Sequence, residues 1–369
     1  MLILKILKYL LIIIAVVSLA AYLFTAFHPV FGGKPDAESA AKIQASPQFD
    51  GEKFVNAEPT QKITTEDGSF QFLGWLKTFF TPPPDKNPRE PLPSEKPDFT
   101  KMQNGDFVWF GHSTVAFKTD GKLLLTDPVF YRASPVPFTA EPFAQQHPTL
   151  PADFPAIDAV ILSHDHYDHL DYRTIKALDP KVRRYFVPLG VKAHLQHWGV
   201  DSGKITESDW HETSTLGNIR LTPAPARHFS GRRPGGDGAT LWASWVIQSP
   251  DFSLYFNGDS GYGRHFAENG RRYGPFDFAL MENGAYNKDW AQIHMTPEES
   301  VQAAADLGAK AVMPIHWAKF DLAYHKWREP IERFLPAAQA KNLPAATPKI
   351  GQVFNLGELP QEVWWVDVK

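Results

Sequence analysis

The run Ser163-His164-Asp165-His166-Tyr167-Asp168-His169-Leu170 constrains this chain more than any other feature. It places three imidazoles and two carboxylates within six residues. It directly follows an apolar, strand-like run, Asp158-Ala159-Val160-Ile161-Leu162. Burying such a polar set without partners is very costly, so it is not an ordinary core feature. On a loop at a strand end, the same side chains can converge on cations. His164 and His166 can share one ion, and Asp168 and His169 point to a neighbouring one. The chain has no cysteine, so any zinc is held by histidine and carboxylate alone. That donor set suits zinc and leaves iron and manganese open.

Bulk properties exclude some partners. Acids and bases are mixed along the 369 residues and the net charge is −4. A main nucleic-acid partner is therefore not expected, because phosphate binding needs a concentrated basic face. A local basic patch, for instance around Arg232 and Arg233, stays open. The absence of cysteine removes disulfides and thiolate chemistry without fixing the compartment.

Two lysines, Lys5 and Lys8, precede an uncharged run from Tyr9 to Phe27. As a helix rising ~1.5 Å per residue it spans roughly 28 Å, close to a bilayer's hydrocarbon core. Residues 1–28 are expected to be a transmembrane anchor; the competing reading is a signal peptide cut after Ala20. Lys5 and Lys8 place the rest of the chain on the non-cytoplasmic, periplasmic side, against which Lys34 and Lys42 count. Residues 29–104 are expected to be a linker and Pro-rich arm, where prolines from Pro82 to Pro97 forbid regular helix. The aromatic stretch Phe70–Phe80 either lies on a bilayer surface or packs on the domain that follows.

From residue 105 to 369 the texture is that of a layered α/β domain. Strand-length apolar runs recur at 107–110, 122–125, 157–162, 219–221, 253–256, 276–281 and 309–315. One helix is well signalled from Thr296: a Thr cap, Pro at the first position, Glu three residues on, and a stop at Gly308.

The run from His164 to His169 is similar to the signature of the metallo-β-lactamase superfamily. That resemblance implies an α/β fold, the αββα sandwich, with metals at one edge of its two sheets. It also implies further ligands at later strand ends, and His228, Asp259 and His316 occur in that order. By resemblance, His164, His166 and His228 hold one zinc; Asp168, His169 and His316 hold a second; Asp259 bridges them.

A closer resemblance spans Asp106 to Glu332. It rests on Gly111-His112-Ser113-Thr114-Val115, Leu125-Thr126-Asp127-Pro128-Val129, Arg227–Arg232, Trp242–Val246, His294–Glu299 and His316-Trp317. These resemble the branch containing N-acylphosphatidylethanolamine-hydrolysing phospholipase D and its bacterial relatives. Gly284-Ala285-Tyr286 fits that branch, while Glu282 and Asn283 depart from the mammalian enzyme. The resemblance implies a phospholipase D-type phosphodiesterase with two zinc ions, a bridging hydroxide nucleophile and a membrane phospholipid substrate. Asp168 then orients the nucleophile as well as binding metal, and His294 is catalytic. His112 supports the site or forms a turn, and Tyr286, Arg232 and Trp317 are substrate contacts. The same ligands equally serve a lactonase or another ester hydrolase. A non-catalytic, membrane-bound binding protein is the third reading.

Overall fold

A computed structural model of the chain describes residues 2–65, 68, 81 and 83–369. The expectation for Phe70–Phe80 lies outside these residues. In chain order the strands are β1 (Asp106–Trp109), β2 (Val115–Thr119), β3 (Lys122–Thr126), β4 (Ile157–Ile161), β5 (Val182–Pro188), β6 (Ile205–Ser208), β7 (Ser214–Leu216), β8 (Ile219–Ala224), β9 (Ser244–Gln248), β10 (Ser253–Phe256), β11 (Phe278–Glu282), β12 (Val312–Ile315) and β13 (Val353–Asn355). The helices are α1 (Leu2–Phe27), α2 (Ala37–Ala45), α3 (Tyr172–Leu178), α4 (Lys192–His197), α5 (His265–Tyr273), α6 (Pro297–Asp306) and α7 (Glu329–Ala340).

The strands form two sheets, ordered β13-β1-β2-β3-β4-β5-β6 and β12-β11-β10-β9-β8-β7. Period-two alternation explains how each sheet is covered on both faces. Ala159 and Ile161 of β4 enter the core between the sheets, where they meet Leu254 and Phe256 of β10 and Phe278 and Leu280 of β11. Val160 and Leu162 turn the other way, toward Ile175 and Leu178 of α3 and Leu195 of α4. On the far side Tyr255 and Ala279 pack with Phe266 of α5, Val301 of α6 and Phe334 of α7. The layers are thus α, β, β, α. Sandwiched strands read as continuous apolar runs, because neither face meets water. Each large apolar side chain so buried contributes about 1.5–3 kcal/mol. The helix signalled at Thr296 has its reciprocal cap: Thr296 accepts from the Glu299 backbone, and Glu299 reaches back to Thr296.

Strand direction gathers several loops at one edge. β3 to β6 run parallel, as do β10 to β12. The chain leaves β4, β10, β11 and β12 at their C-terminal ends, where α/β sheets place their sites. The sheets are joined there by Trp245 Nε1 donating to Leu162 O (2.8 Å) and Ala243 N donating to Ser163 O (2.9 Å). Gly258 follows β10 at φ +59°, and a Cβ there would lie 2.6 Å from the Ser163 Cβ. Only glycine allows that approach without displacing the loop between Ser163 and Leu170.

The segment expected to be a linker is packed against the domain. Asp36 caps α2, and Ser39 Oγ donates to the buried Glu207 carboxylate at 2.8 Å. Ile43 of α2 and Phe54 are buried with Leu189, Trp210 and Trp242. Leu92 of the Pro-rich arm is fully buried and bridges to Gln145. A tether would leave these apolar side chains in water, so residues 36–56 and 92–94 belong structurally with the sandwich. Ahead of them, α1 contains 24 residues, Leu4–Phe27, long and apolar enough to cross a membrane, and none is buried against the rest of the chain.

One buried cation makes stability depend on pH. Lys319 is buried; it donates to Phe110 O at 2.9 Å and lies over the Phe130 ring. Burial pushes its ammonium down to about 7, whereas the unfolded chain titrates near ~10.4. Below both values each state is protonated and the burial penalty is fully present. Between them the unfolded state binds more protons, so stability rises with pH and then levels off. Thermal unfolding should therefore shift upward from pH 7 to 9, and Lys319→Met should lose that component. An unchanged slope in Lys319→Met would contradict the assignment.

Candidate metal centre

The loop after β4 turns back at once, with Leu170 N donating to His166 O at 2.8 Å. The turn throws His164, His166, Asp168 and His169 into the gap between the sheets. The loops after β8, β10 and β12 bring His228, Asp259 and His316 to meet them. His316 adopts φ +67°, strained for a non-glycine residue, at a cost of order 1–3 kcal/mol. It is held by Asn283 N donating to Ile315 O at 3.0 Å.

The side chains form two groups that share one carboxylate. In the first, His164 Nε2 and His228 Nε2 lie 2.9 and 3.2 Å from His166 Nδ1, and 3.9 and 3.7 Å from Asp259 Oδ2. In the second, His169 Nε2 and His316 Nε2 each lie 3.1 Å from Asp259 Oδ1 and 3.4 Å from Asp168 Oδ2. A tetrahedral ion with ligands at ~2.0–2.1 Å spaces its ligand atoms about 3.3 Å apart, close to these values. His169 Nε2, His316 Nε2 and Asp259 Oδ1 are all buried without a hydrogen-bond partner. Such orphans cost ~1–3 kcal/mol each unless something meets them, and a cation between them satisfies all three. The donor set therefore fits metal.

Electrostatics point the same way for His164 and His228, whereas Asp259 and Asp168 overcome burial to raise His169 and His316 above the imidazole range. Burial pushes His164 and His228 well below the usual imidazole range, so both stay neutral, as ligands must. Burial alone would raise the Asp259 carboxyl, but His169 and His316 hold it well below its usual range. Neighbours also fix the rings. His169 Nδ1 bonds Asp127 Oδ2 at 2.7 Å, and His228 Nδ1 donates to Ile293 O at 2.9 Å. Each leaves Nε2 facing inward. His112 sits at φ +53° in the β1–β2 turn with Nε2 3.1 Å from Asp168 Oδ2. Burial takes its pKa down to about 3, so neutral His112 donates to that carboxylate. It both forms the turn and steadies a proposed ligand.

Two acids were given no role in the site from sequence. Asp127 is one, buried beneath His169. The other is Glu282, wholly buried at the end of β11, which pairs with His294 Nδ1 and accepts from Ser260 N at 2.9 Å. Burial raises Glu282 well above the carboxylate range, with Asp259 adding to it, and burial lowers His294 to about 4. The pair thus holds one proton between Glu282 and Nδ1, and Nε2 is the ring nitrogen left for the cleft.

The cleft over the two groups is a cavity of about 260 Å³. His166, Asp168, Asp259, His294 and His316 form its floor; Phe229, Trp290, Ile293 and Leu322 form an apolar rim with Lys62. Trp290 and Leu322 also line a neighbouring groove of about 820 Å³ that runs to Phe143, Tyr324 and the exposed Phe138.

The expected substrate contacts fall elsewhere. Trp317 is stacked between Trp109 and Trp364. Tyr286 donates to Glu329 at 2.7 Å and stacks on His325. Arg232 is buried and donates to the carbonyls of Val30, Asp165 and Leu170. None of the three lines the cleft. The basic patch expected at Arg232 and Arg233 is absent for the same reason, because backbone carbonyls take up both guanidinium groups.

A model of the beta-lactamase superfamily domain matches residues 123–317, just over half of the chain. The chain belongs to the metallo-β-lactamase superfamily. Within it, the uncharacterized protein Rv0906 of Mycobacterium tuberculosis is 39% identical over 360 residues, covering 94% of this chain and 96% of that one. N-acyl-phosphatidylethanolamine-hydrolyzing phospholipase D 1 of Caenorhabditis elegans is 28% identical over 350 residues, covering 85% and 98%. Among solved structures, the metallo hydrolase Igni18 of Ignicoccus hospitalis superposes with a TM-score of 0.52 at 19% identity, covering 68% of this chain and 97% of its own. That likeness is one of fold. This metallo-β-lactamase-fold protein is thus a hydrolase with a metal-binding centre.

Proposed function

We propose that this hydrolase is a two-zinc phosphodiesterase of phospholipase D type, acting on N-acylphosphatidylethanolamine-like phospholipids. Its anchor is α1 and its catalytic domain is non-cytoplasmic. The observation that carries the reading is Asp259, which offers one oxygen to each of two ligand groups beneath a cleft with an apolar rim. The apolar rim of Phe229, Trp290, Ile293 and Leu322 suits an acyl chain better than a sugar. The name of the Caenorhabditis elegans relative supports the same substrate class.

His164, His166 and His228 would hold one ion and Asp168, His169 and His316 the other, with Asp259 between. Zinc bound there would supply a water of lowered pKa and stabilisation of negative charge on a phosphoryl oxygen. Asp127 and the Ile293 carbonyl lock the rings of His169 and His228 beforehand. Asp168, steadied by His112, directs its carboxylate toward the attacking water. Glu282 keeps His294 turned so that Nε2 can pass a proton to the departing alcohol. Lys62 is paired with Asp237 and packs over Phe229 at the rim, and Phe229, Trp290 and Leu322 keep bulk water out.

The test is a panel of N-acylphosphatidylethanolamine, an aryl phosphodiester and a lactone, given to the full-length chain. Both phosphodiesters should turn over faster than the lactone. A chelator should abolish turnover, and zinc should restore it. A faster lactone overturns the phosphodiesterase reading. Cleavage of the aryl diester without any lipid turnover overturns the lipid part.

A further inference from the structure

The chain leaves α1 through Pro29-Val30-Phe31-Gly32-Gly33, and this strap is held carbonyl by carbonyl. Trp198 Nε1 donates to Pro29 O at 2.6 Å, and Arg232 Nε to Val30 O at 2.6 Å. Arg233 Nε donates to Phe31 O at 3.0 Å, and its Nη2 to Gly32 O at 2.6 Å. Four successive carbonyls are thus taken by side chains from the region after α4 and from the loop after β8. The next residue donates its own N–H, Gly33 N to His194 Nδ1 at 3.2 Å. The two glycines make this fit possible. A Cβ on Gly32 would lie 2.0 Å from His194 Nδ1, and one on Gly33 2.4 Å from Ala193 O.

The groups that grip the strap also grip the loop between Ser163 and Leu170. Arg232 Nη1 donates to Asp165 O and Leu170 O, at 2.7 and 2.8 Å, bracketing His166, Asp168 and His169. Its guanidinium lies over the rings of Tyr167 and Trp198. Tyr167 OH donates to Arg232 O at 2.5 Å. His194 Nε2 lies 3.3 Å from Asp165 Oδ2, and Gly231 N donates to Asp165 Oδ1 at 2.9 Å. Two carbonyls and the Asp165 carboxylate of this loop therefore share partners with the first residues beyond the helix. Aromatic contacts continue the path outward: Phe24 of α1 meets Phe31, and His28 meets Tyr172 of α3.

We infer that residues 29–33 are a rigid bracket that fixes the proposed metal loop in one position against a phospholipid bilayer. The inference rests on reading α1 as a bilayer-spanning anchor. A flexible tether would let the domain tumble and sample many orientations at the membrane. The bracket instead holds the cleft in one orientation relative to the bilayer, so fewer orientations are sampled. It also gives Arg232, Arg233, Gly32 and Gly33 a shared purpose that substrate contact does not.

The chain has no native cysteine, so Lys341→Cys gives a single labelling position on an exposed turn. The labelled full-length chain is placed in phosphatidylethanolamine–phosphatidylglycerol vesicles, flotation is checked, and energy transfer from the label to bilayer acceptors is resolved as a distance distribution. Two variants are compared, Arg233→Ala and an insertion of about twelve Gly-Ser residues between Phe27 and His28. The parent should show one narrow distribution, which Arg233→Ala widens and the insertion widens further. The insertion should slow N-acylphosphatidylethanolamine turnover in vesicles by about tenfold, while turnover of a soluble aryl phosphodiester stays within about twofold. A parent distribution as wide as that of the insertion, or equal vesicle-lipid turnover, overturns the bracket. A chain that fails to float, or that lacks α1, overturns the anchor and the bracket with it. Should neither diester be cleaved, the phosphodiesterase reading falls, and the distance distribution still decides the bracket.

Discussion

Asp259→Ala should lose most bound metal and at least ~10³-fold in turnover, equivalent to about 4 kcal/mol of barrier or more. The size follows from its position. Asp259 Oδ1 lies 3.1 Å from both His169 and His316, and Oδ2 faces His164 and His228, so one substitution removes a ligand from each group. It also removes negative charge buried among five histidines, which the ions would otherwise balance. Asp259→Asn keeps the shape and loses the charge, and should fall between the parent and Asp259→Ala in metal content. Elemental analysis of the purified variants, alongside hydrolysis of the aryl diester, gives both quantities. Retention of two ions by Asp259→Ala would defeat the bridging role.

Glu282→Ala should lower turnover by ~10²–10³-fold while leaving both ions in place. Glu282 belongs to neither group that shares Asp259; it pairs with His294 Nδ1, and with His294 and His316 it forms a third cluster of possible ligands. Without it, His294 loses the partner that fixes its tautomer and orientation. His294→Ala should cost a similar factor, and the double variant little more, because the two act as one unit. The loss should be greatest for alkyl leaving groups, which need a proton, and small for nitrophenyl, which does not. Metal loss in His294→Ala would make it a ligand; equal losses across leaving groups would remove its proton-transfer role.

The sandwich was legible in the sequence at several strands buried on both faces, though not at the equally buried β9. The runs at 253–256 and 157–162 coincide with β10 and β4 to within a residue. β2 and β5 were not read as strands, since Lys118, Arg183 and Arg184 interrupt their apolar pattern on partly exposed faces. The seven candidate ligands stood out because imidazoles at strand ends are expensive without a partner. Asp127 and Glu282 did not. Each is one acid at the end of an apolar run, and only the fold brings it to a histidine 42 or 12 residues away. Arg232 was expected to be a substrate contact under the family resemblance, and sequence carries no trace of the carbonyls that surround it. The packing of residues 36–56 was equally hidden, since its partners lie from Leu189 to Trp242.

The most direct test of the two-ion centre is diffraction from zinc-loaded crystals of the full chain, measured on either side of the zinc edge. The account predicts two anomalous peaks about 3.5–4 Å apart, one on each side of the Asp259 carboxylate. One ringed by His164, His166 and His228, the other by Asp168, His169 and His316, is the expected arrangement. A single peak, or density centred between Glu282 and His294 instead, would contradict it.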